Sequence, residues 1–242
     1  MKRVALLFAL NALLCAQGAR QTDEIATAAG PVRITPIYHA SLVLEGGGQV
    51  IYVDPWEHGN YDGLPPANLV LITHEHGDHL DPRMIARLRK DGTIVAGPEA
   101  VAQKLNGVAV IRIGEEKTLD KWSVLAMPAY NIKRGPSEGG VYHEKGRGVG
   151  YVLTFGGKRI YISGDTEAIP EMKALKNIDI AFVSMNLPYT MTPAEAAEAI
   201  RAFRPKIVYP YHYRGSDLTV LQKALEGTGV DVRIRNWYQS SR

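Results

Sequence analysis

The residues of this chain best suited to chemistry stand together as His74, Glu75, His76, Gly77, Asp78 and His79. Four of these six residues, His74, His76, Asp78 and His79, make up a ligand set for divalent ions. With 7 His in 242 residues, chance places the string HxHxDH in roughly 3 of ten thousand chains of this composition. Extended off a strand end, His74 and His76 point the same way and can grip one ion, while Asp78 and His79, past the Gly77 turn, face a second. A merely solvated loop gives no reason to crowd three imidazoles that repel whenever they are protonated. Metal ligation does.

Two distant residues fit the same chemistry. Asp165 ends the apolar run 161–163, and His212 follows the apolar run 206–209. Each ligand type then sits at the carboxyl end of a strand, where an open α/β sheet places its site. Alone, Asp165 reads as a turn or cap residue and His212 as a packed loop histidine; the first cluster raises both.

The elements that must position these groups are legible in outline. Strands are expected over 32–38, 41–45 and 50–53, the last two joined across Gly46, Gly47 and Gly48, and over 68–73 directly before the histidine cluster. Asp81 as N-cap with Pro82 at the first helical position starts a helix that runs to Gly92. Then come a strand 93–96, a helix 98–105, and strands 108–113 and 122–127. A hairpin of 150–155 and 158–163 turns at Gly156 and Gly157, and a strand 178–184 follows. Thr192, Pro193 and Glu195 form a capping box for a helix ending at Phe203, stopped by Arg204 and Pro205. A strand 206–209, a helix 217–226 and a strand 230–237 complete the chain. Strands mix with helices throughout, without a linker or short repeat, so one α/β (or α+β) domain is the economical reading.

Composition narrows the partners. Hydrophobic residues make up 45% and charged residues 22%, an ordinary globular balance that excludes disorder, collagen and a disulfide scaffold. A formal charge of +3, dispersed and without a basic stripe, disfavours nucleic acid. The N-terminus has the grammar of a signal peptide: Lys2 and Arg3, an apolar run 4–16 too short to span a bilayer, then small residues that place cleavage after Gly18. The mature domain would be 19–242, exported to the periplasm or secreted, without a membrane span. Cys15, the only cysteine, would leave with the signal, which suits an oxidising compartment.

The HxHxDH string of His74, His76, Asp78 and His79, a GDT segment carrying Asp165, and the final His212 resemble the metallo-β-lactamase superfamily over nearly the whole mature chain. Segments 38–41, 53–56 and 209–213 look most like the branch of L-ascorbate-6-phosphate lactonase and N-acyl phosphatidylethanolamine phospholipase D. The resemblance implies a four-layer αβ/βα sandwich. It also implies one or two divalent ions, zinc first with manganese or iron as alternatives, and hydrolysis of a small lactone, ester or phosphodiester by a metal-bound hydroxide. His74, His76 and Asp165 would hold the first ion and Asp78, His79, Asp165 and His212 the second, with Asp78 also orienting water or accepting its proton.

The chain departs from the family at Asn131, where another histidine is usual and which is a poor zinc ligand. The first position is therefore expected to be weak, with His143, twelve residues on in a Gly-rich loop, as a replacement ligand, a substrate contact or a free loop residue. Asp54 is expected to orient a histidine N–H or to cap a turn. His39 recurs near the metal loop in this branch, and Tyr189 is a candidate wall of the substrate cleft. Two rivals stay open: a metal-binding protein whose site has decayed at Asn131, and a two-iron redox centre like that of the flavodiiron relatives.

Overall fold

Residues 20–238 are described by the structure, a computed structural model; the expected signal peptide and Cys15 lie outside them. The first sheet contains β1 (Asp23–Ile25), β2 (Val32–Tyr38), β3 (Ser41–Gly46), β4 (Gln49–Val53), β5 (Ala67–Leu71), β6 (Arg89–Gly97) and β7 (Val108–Val110), in sequence order. The second contains β8 (Glu116–Leu119), β9 (Trp122–Ala129), β10 (Gly148–Phe155), β11 (Lys158–Ile162), β12 (Ile180–Ser184), β13 (Ile207–Tyr211) and β14 (Asp231–Val232), again in order. Each sheet makes three antiparallel pairings and then three parallel ones. The two halves thus repeat one topology that their sequences do not display.

The inner faces pack against each other. Val32, Leu42 and Leu44 of the first sheet share a buried cluster with Trp122, Leu153 and Phe182 of the second. Trp122 stacks on Phe155, with ring centroids 4.6 Å apart, and donates its Nε1–H to the Gly46 carbonyl across the interface at 3.1 Å. Burying such large rings is worth about 2–3 kcal/mol each. The outer face of the first sheet is covered by α1 (Pro82–Leu88) and α2 (Glu99–Ala102), through Met84, Ile85, Leu88 and Val101. That of the second is covered by α3 (Pro170–Lys173), α4 (Pro193–Phe203) and α5 (Leu218–Leu225), through Met172, Ala196, Ile200 and Leu221. Helix, sheet, sheet and helix make the four layers of an αβ/βα sandwich. No helix among the described residues is long and apolar enough to cross a membrane.

The expected helix caps form. Asp81 accepts from the backbone of Arg83 and Met84, and Thr192 with Glu195 makes the reciprocal box. Several boundaries differ. The first helix stops at Leu88 rather than Gly92, because Arg89 turns extended and pairs with Ala67 on β5. The helix expected over 98–105 is four residues long. The strand expected over 230–237 is only Asp231–Val232; beyond it the chain leaves the edge and buries Trp237 in the inter-sheet core. Polar β1 and β8 and the short α3 carry too little apolar periodicity to be read in advance.

Candidate metal centre

The side chains singled out above converge where the carboxyl ends of β4, β5, β11 and β13 meet the turns β2–β3 and β9–β10. After β5, Thr73 and His74 leave the sheet, and His79 N–H and Leu80 N–H both donate to the His76 carbonyl, closing the motif into a tight loop. Gly164 precedes Asp165 with φ +61°, and a Cβ there would lie 2.7 Å from the Val149 carbonyl oxygen. Its N–H donates to Tyr211 Oη at 2.9 Å, which fixes where Asp165 emerges.

The donor atoms form two overlapping sets. His74 Nε2 lies 3.1 Å from His76 Nδ1, and His143 joins these two with ligand atoms all within 4.8 Å of one another. His143 Nε2 is 3.4 Å from Asp165 Oδ2. On the other side His79 Nε2 is 3.5 Å from Asp165 Oδ1 and 3.8 Å from Asp78 Oδ2. His212 Nε2 is 3.5 Å from Asp165 Oδ2 and 3.7 Å from Asp78 Oδ2. Ligand bonds of about 2.1 Å put neighbouring donors roughly 3.0–3.4 Å apart on a four- to six-coordinate ion, so the spacing suits a metal with slight contraction. His79 Nε2, His212 Nε2 and Asp165 Oδ1 are buried and find no hydrogen-bond partner among the described residues. Polar atoms left so cost free energy unless a ligand satisfies them.

The opposite ring nitrogens of His74, His79 and His143 are tied down, whereas His212 Nδ1 finds no partner among the described residues. His79 Nδ1–H donates to Asp54 Oδ2 at 2.8 Å, and Asp54 also accepts from Thr73 N–H and Thr73 Oγ1–H, each at 2.7 Å. His74 Nδ1 lies 3.1 Å from Thr73 Oγ1. His143 Nδ1–H donates to Asn131 Oδ1, which also accepts His143 N–H at 2.9 Å. With each Nδ1 proton held by a fixed acceptor, the Nε2 lone pairs of His74, His79 and His143 are left for the centre.

Asn131 itself does not face the donors. Its Nδ2 donates to the Tyr189 carbonyl at 2.8 Å and to Glu167 Oε1 at 3.3 Å. The His143 imidazole stands beside His74 and His76 instead. The Tyr189 ring does not line the cleft; it packs edge-on against Tyr142, which does, at 5.0 Å between centroids. Thr73, Glu167 and Tyr238 were not anticipated. Thr73, directly before the motif, offered a positional signal; Glu167 and Tyr238 offered none.

Burial lowers the pKa of His74 and His143 and takes His39 down to about 4. Burial pulls His79 the same way, but Asp165 and Asp54 outweigh it and raise the imidazole to about 10. Burial disfavours the charged forms of Asp78 and Asp165, yet the surrounding imidazoles bring both below the ordinary carboxylate range. Of the two carboxylates Asp78 is the open one, with 36% of its side chain exposed against 4% for Asp165. A cleft of about 150 Å³, lined by His74, His76, His143 and Asp165, leads to the first donor set.

The family description "Beta-lactamase superfamily domain" matches residues 33–212, which takes in every donor above. The chain is 32% identical over 197 residues to a UPF0173 metal-dependent hydrolase of Pyrococcus furiosus, covering 75% of this chain and 84% of that one. It is 30% identical over 224 residues to a UPF0173 metal-dependent hydrolase of Deinococcus radiodurans, covering 84% and 96%. A crystal structure from Parabacteroides distasonis, of a protein described as a metal-dependent hydrolase, is similar at 46% identity and a TM-score of 0.85, over 91% of this chain and 100% of that one. The chain belongs to the metallo-β-lactamase superfamily and, within it, to the UPF0173 metal-dependent hydrolase family. None of these relatives is named an ascorbate-6-phosphate lactonase or a phospholipase D, and their names do not favour a decayed site.

Proposed function

We propose that the protein hydrolyses a small uncharged lactone or ester on a centre of one or two divalent ions, zinc before manganese or iron. The observation that carries the metal reading is the meeting of buried, unpartnered donor atoms from His79, His212 and Asp165. His74, His76, His143 and Asp165 would hold one ion, and Asp78, His79, Asp165 and His212 the other. A divalent ion bound there supplies a Lewis acid and brings a water's pKa to about 7. Asp78, the carboxylate nearest solvent, would orient the attacking water. The buried Asp165 is placed to join the two donor sets, while Asp54, Thr73 and Asn131 keep the imidazoles aimed.

The lining of the cleft supports the substrate class. Its charged members besides the donor set are Glu75, Glu144 and Arg147, and Arg147 Nε is already bonded to Glu75 at 2.9 Å. With Arg147 paired to Glu75, these lining residues leave no side-chain cation to hold a phosphodiester anion, whereas a neutral carbonyl compound needs none. Ile132 and Leu187 are exposed apolar side chains on two loops that Asn131 ties together, and they offer contact to an apolar substituent. This favours a lactone or ester over a phosphodiester.

Metal quantification on the purified protein, with parallel assays on neutral lactones, carboxylic esters and phosphodiesters, tests the reading. Hydrolysis of the neutral compounds that disappears with chelation and in Asp165→Ala is expected. Preference for phosphodiesters would reverse the substrate assignment, and full activity in metal-free Asp165→Ala would remove the centre altogether. The proposal also takes residues 1–18 as an export signal and 19–242 as one hydrolase domain; N-terminal sequencing of the protein recovered from a secreting host decides that part.

A further inference from the structure

His39 stands at the edge of the donor set in a way that admits two roles. Its Nε2 is 3.2 Å from Asp78 Oδ2, and its ligand atoms lie within 4.8 Å of those of Asp78 and His212. By position alone it would pass for a further metal ligand. The other side of the ring decides. His39 Nδ1 lies 2.9 Å from Tyr238 Oη, and the same oxygen accepts Arg214 N–H at 2.9 Å. A phenol has one proton and two lone pairs. The Asp78 carboxylate can only accept, so the imidazole proton sits on Nε2 facing it; Nδ1 is then an acceptor and takes the Tyr238 hydroxyl proton, while a lone pair of that oxygen takes Arg214 N–H. A nitrogen that carries a proton cannot ligate a cation.

We infer that Tyr238 holds His39 as the Nε2–H tautomer, and that His39 is a positioning residue that aims Asp78 at the second ion rather than a ligand of that ion. The direction of each bond agrees: Arg214 N–H to Tyr238, Tyr238 O–H to His39 Nδ1, and His39 Nε2–H to Asp78 Oδ2. The backbone clamps the ring in place, since His39 N–H donates to the Trp237 carbonyl at 3.3 Å and the His39 carbonyl accepts His212 N–H at 2.9 Å. Asp78 needs such a partner, because it is the open carboxylate of the centre, on a loop beside Gly77, and can otherwise turn toward water. The last described residues of the chain therefore help build a centre whose motif lies about 160 positions earlier.

The inference rests on the metal centre proposed above, so the test reads the tautomer first without metal. In the metal-free full chain, long-range ¹H–¹⁵N correlation should show His39 protonated on Nε2; protonation on Nδ1 overturns the inference whatever the ions do. Zinc titration against a competing chelator, with cobalt absorption as a second readout, then compares Tyr238→Phe, His39→Leu and His39→Gln. Tyr238→Phe and His39→Leu should each weaken one of the two ions about 10- to 100-fold and leave the other unchanged. His39→Gln, whose amide N–H can reach the same carboxylate, should recover most of that loss. If His39→Gln loses the ion as fully as His39→Leu, or Tyr238→Phe binds both ions as the parent does, His39 is not acting through its Nε2–H. A parent protein that shows the Nε2–H tautomer yet takes up no ion would refute the metal centre and leave the tautomer assignment standing.

Discussion

The imidazole rings of His39 and His212 lie with centroids 3.6 Å apart, and both residues hold a left-handed backbone, with φ of 56° and 48°. One comes from the β2–β3 turn of the first sheet, the other from the end of β13 in the second. Such a conformation costs a non-glycine residue of order 1–3 kcal/mol and persists only where its surroundings enforce it. Here the backbone bond between the two residues and the packed rings do so. Asp54, with φ of 43°, is a third left-handed residue at the same place, so backbone strain gathers at the candidate centre.

The His212 conformation separates folding from metal binding. His212→Asn should keep the fold, because asparagine tolerates the left-handed region, and metal-free thermal unfolding should shift by only a few degrees. Zinc affinity should fall by at least about tenfold, the smallest effect usual even for outer partners of ligands. Isothermal titration checks this, and unchanged affinity would remove His212 from the ligand set.

Asn131 holds His143 with one end of its amide and the Tyr189 carbonyl with the other. Asn131→Ala should free the imidazole and weaken the first ion about 10- to 100-fold. Asn131→His, which would restore the usual family residue, should weaken binding too, since it breaks both hydrogen bonds. A gain in metal content from Asn131→His would show instead that the first position lacks a ligand.

Asp54 is fully buried and accepts three hydrogen bonds. Asp54→Ala leaves those donors without an acceptor and should destabilise the metal-free protein by about 2–4 kcal/mol, as loss of a buried charged partner does. Asp54→Asn should cost less stability yet still lower zinc affinity, because an amide can present its N–H to His79 Nδ1 and disturb the tautomer. Chemical denaturation and zinc titration measured side by side separate the two effects.

The metal-free protein should lose stability as pH falls from about 6.5 to about 4. His39, at about 4 in the folded state against an ordinary 6.5, binds a proton in the unfolded chain before it does in the folded one, so acid favours unfolding across that interval. His74 and His143, lowered by burial, act in the same direction. His79 acts oppositely: raised to about 10, it contributes stability that is complete below about 6.5 and lost as pH rises through about 10. Melting temperatures in chelator from pH 4 to 10 should therefore peak inside the range, and a steady rise through pH 10 would contradict the His79 assignment.

Much of the centre was legible because its first part is local. His74, His76, Asp78 and His79 depend on one strand end and one glycine turn, and Asp165 and His212 end recognisable apolar strands. Helix starts at Asp81 and Thr192 were equally readable, since a cap needs only its own next three residues. So were the end of α4 at Phe203 and the bounds of β2. Other ends were not, where a distant partner sets them: Ala67 draws Arg89 into β6, and the inter-sheet core takes Trp237 away from a strand.

The chain by itself determined which residue types could ligate a metal, in what order, and that strands and helices would carry them. Only the tertiary structure decided that His143, and not Asn131, stands beside His74 and His76, that Asp54 and Thr73 bond the far sides of the histidines, and that Tyr238 reaches His39. The physical reason is that a ligand's neighbours in sequence follow local backbone periodicity, whereas a hydrogen-bond partner for its far nitrogen can come from any segment that packing of the two sheets brings within about 3 Å.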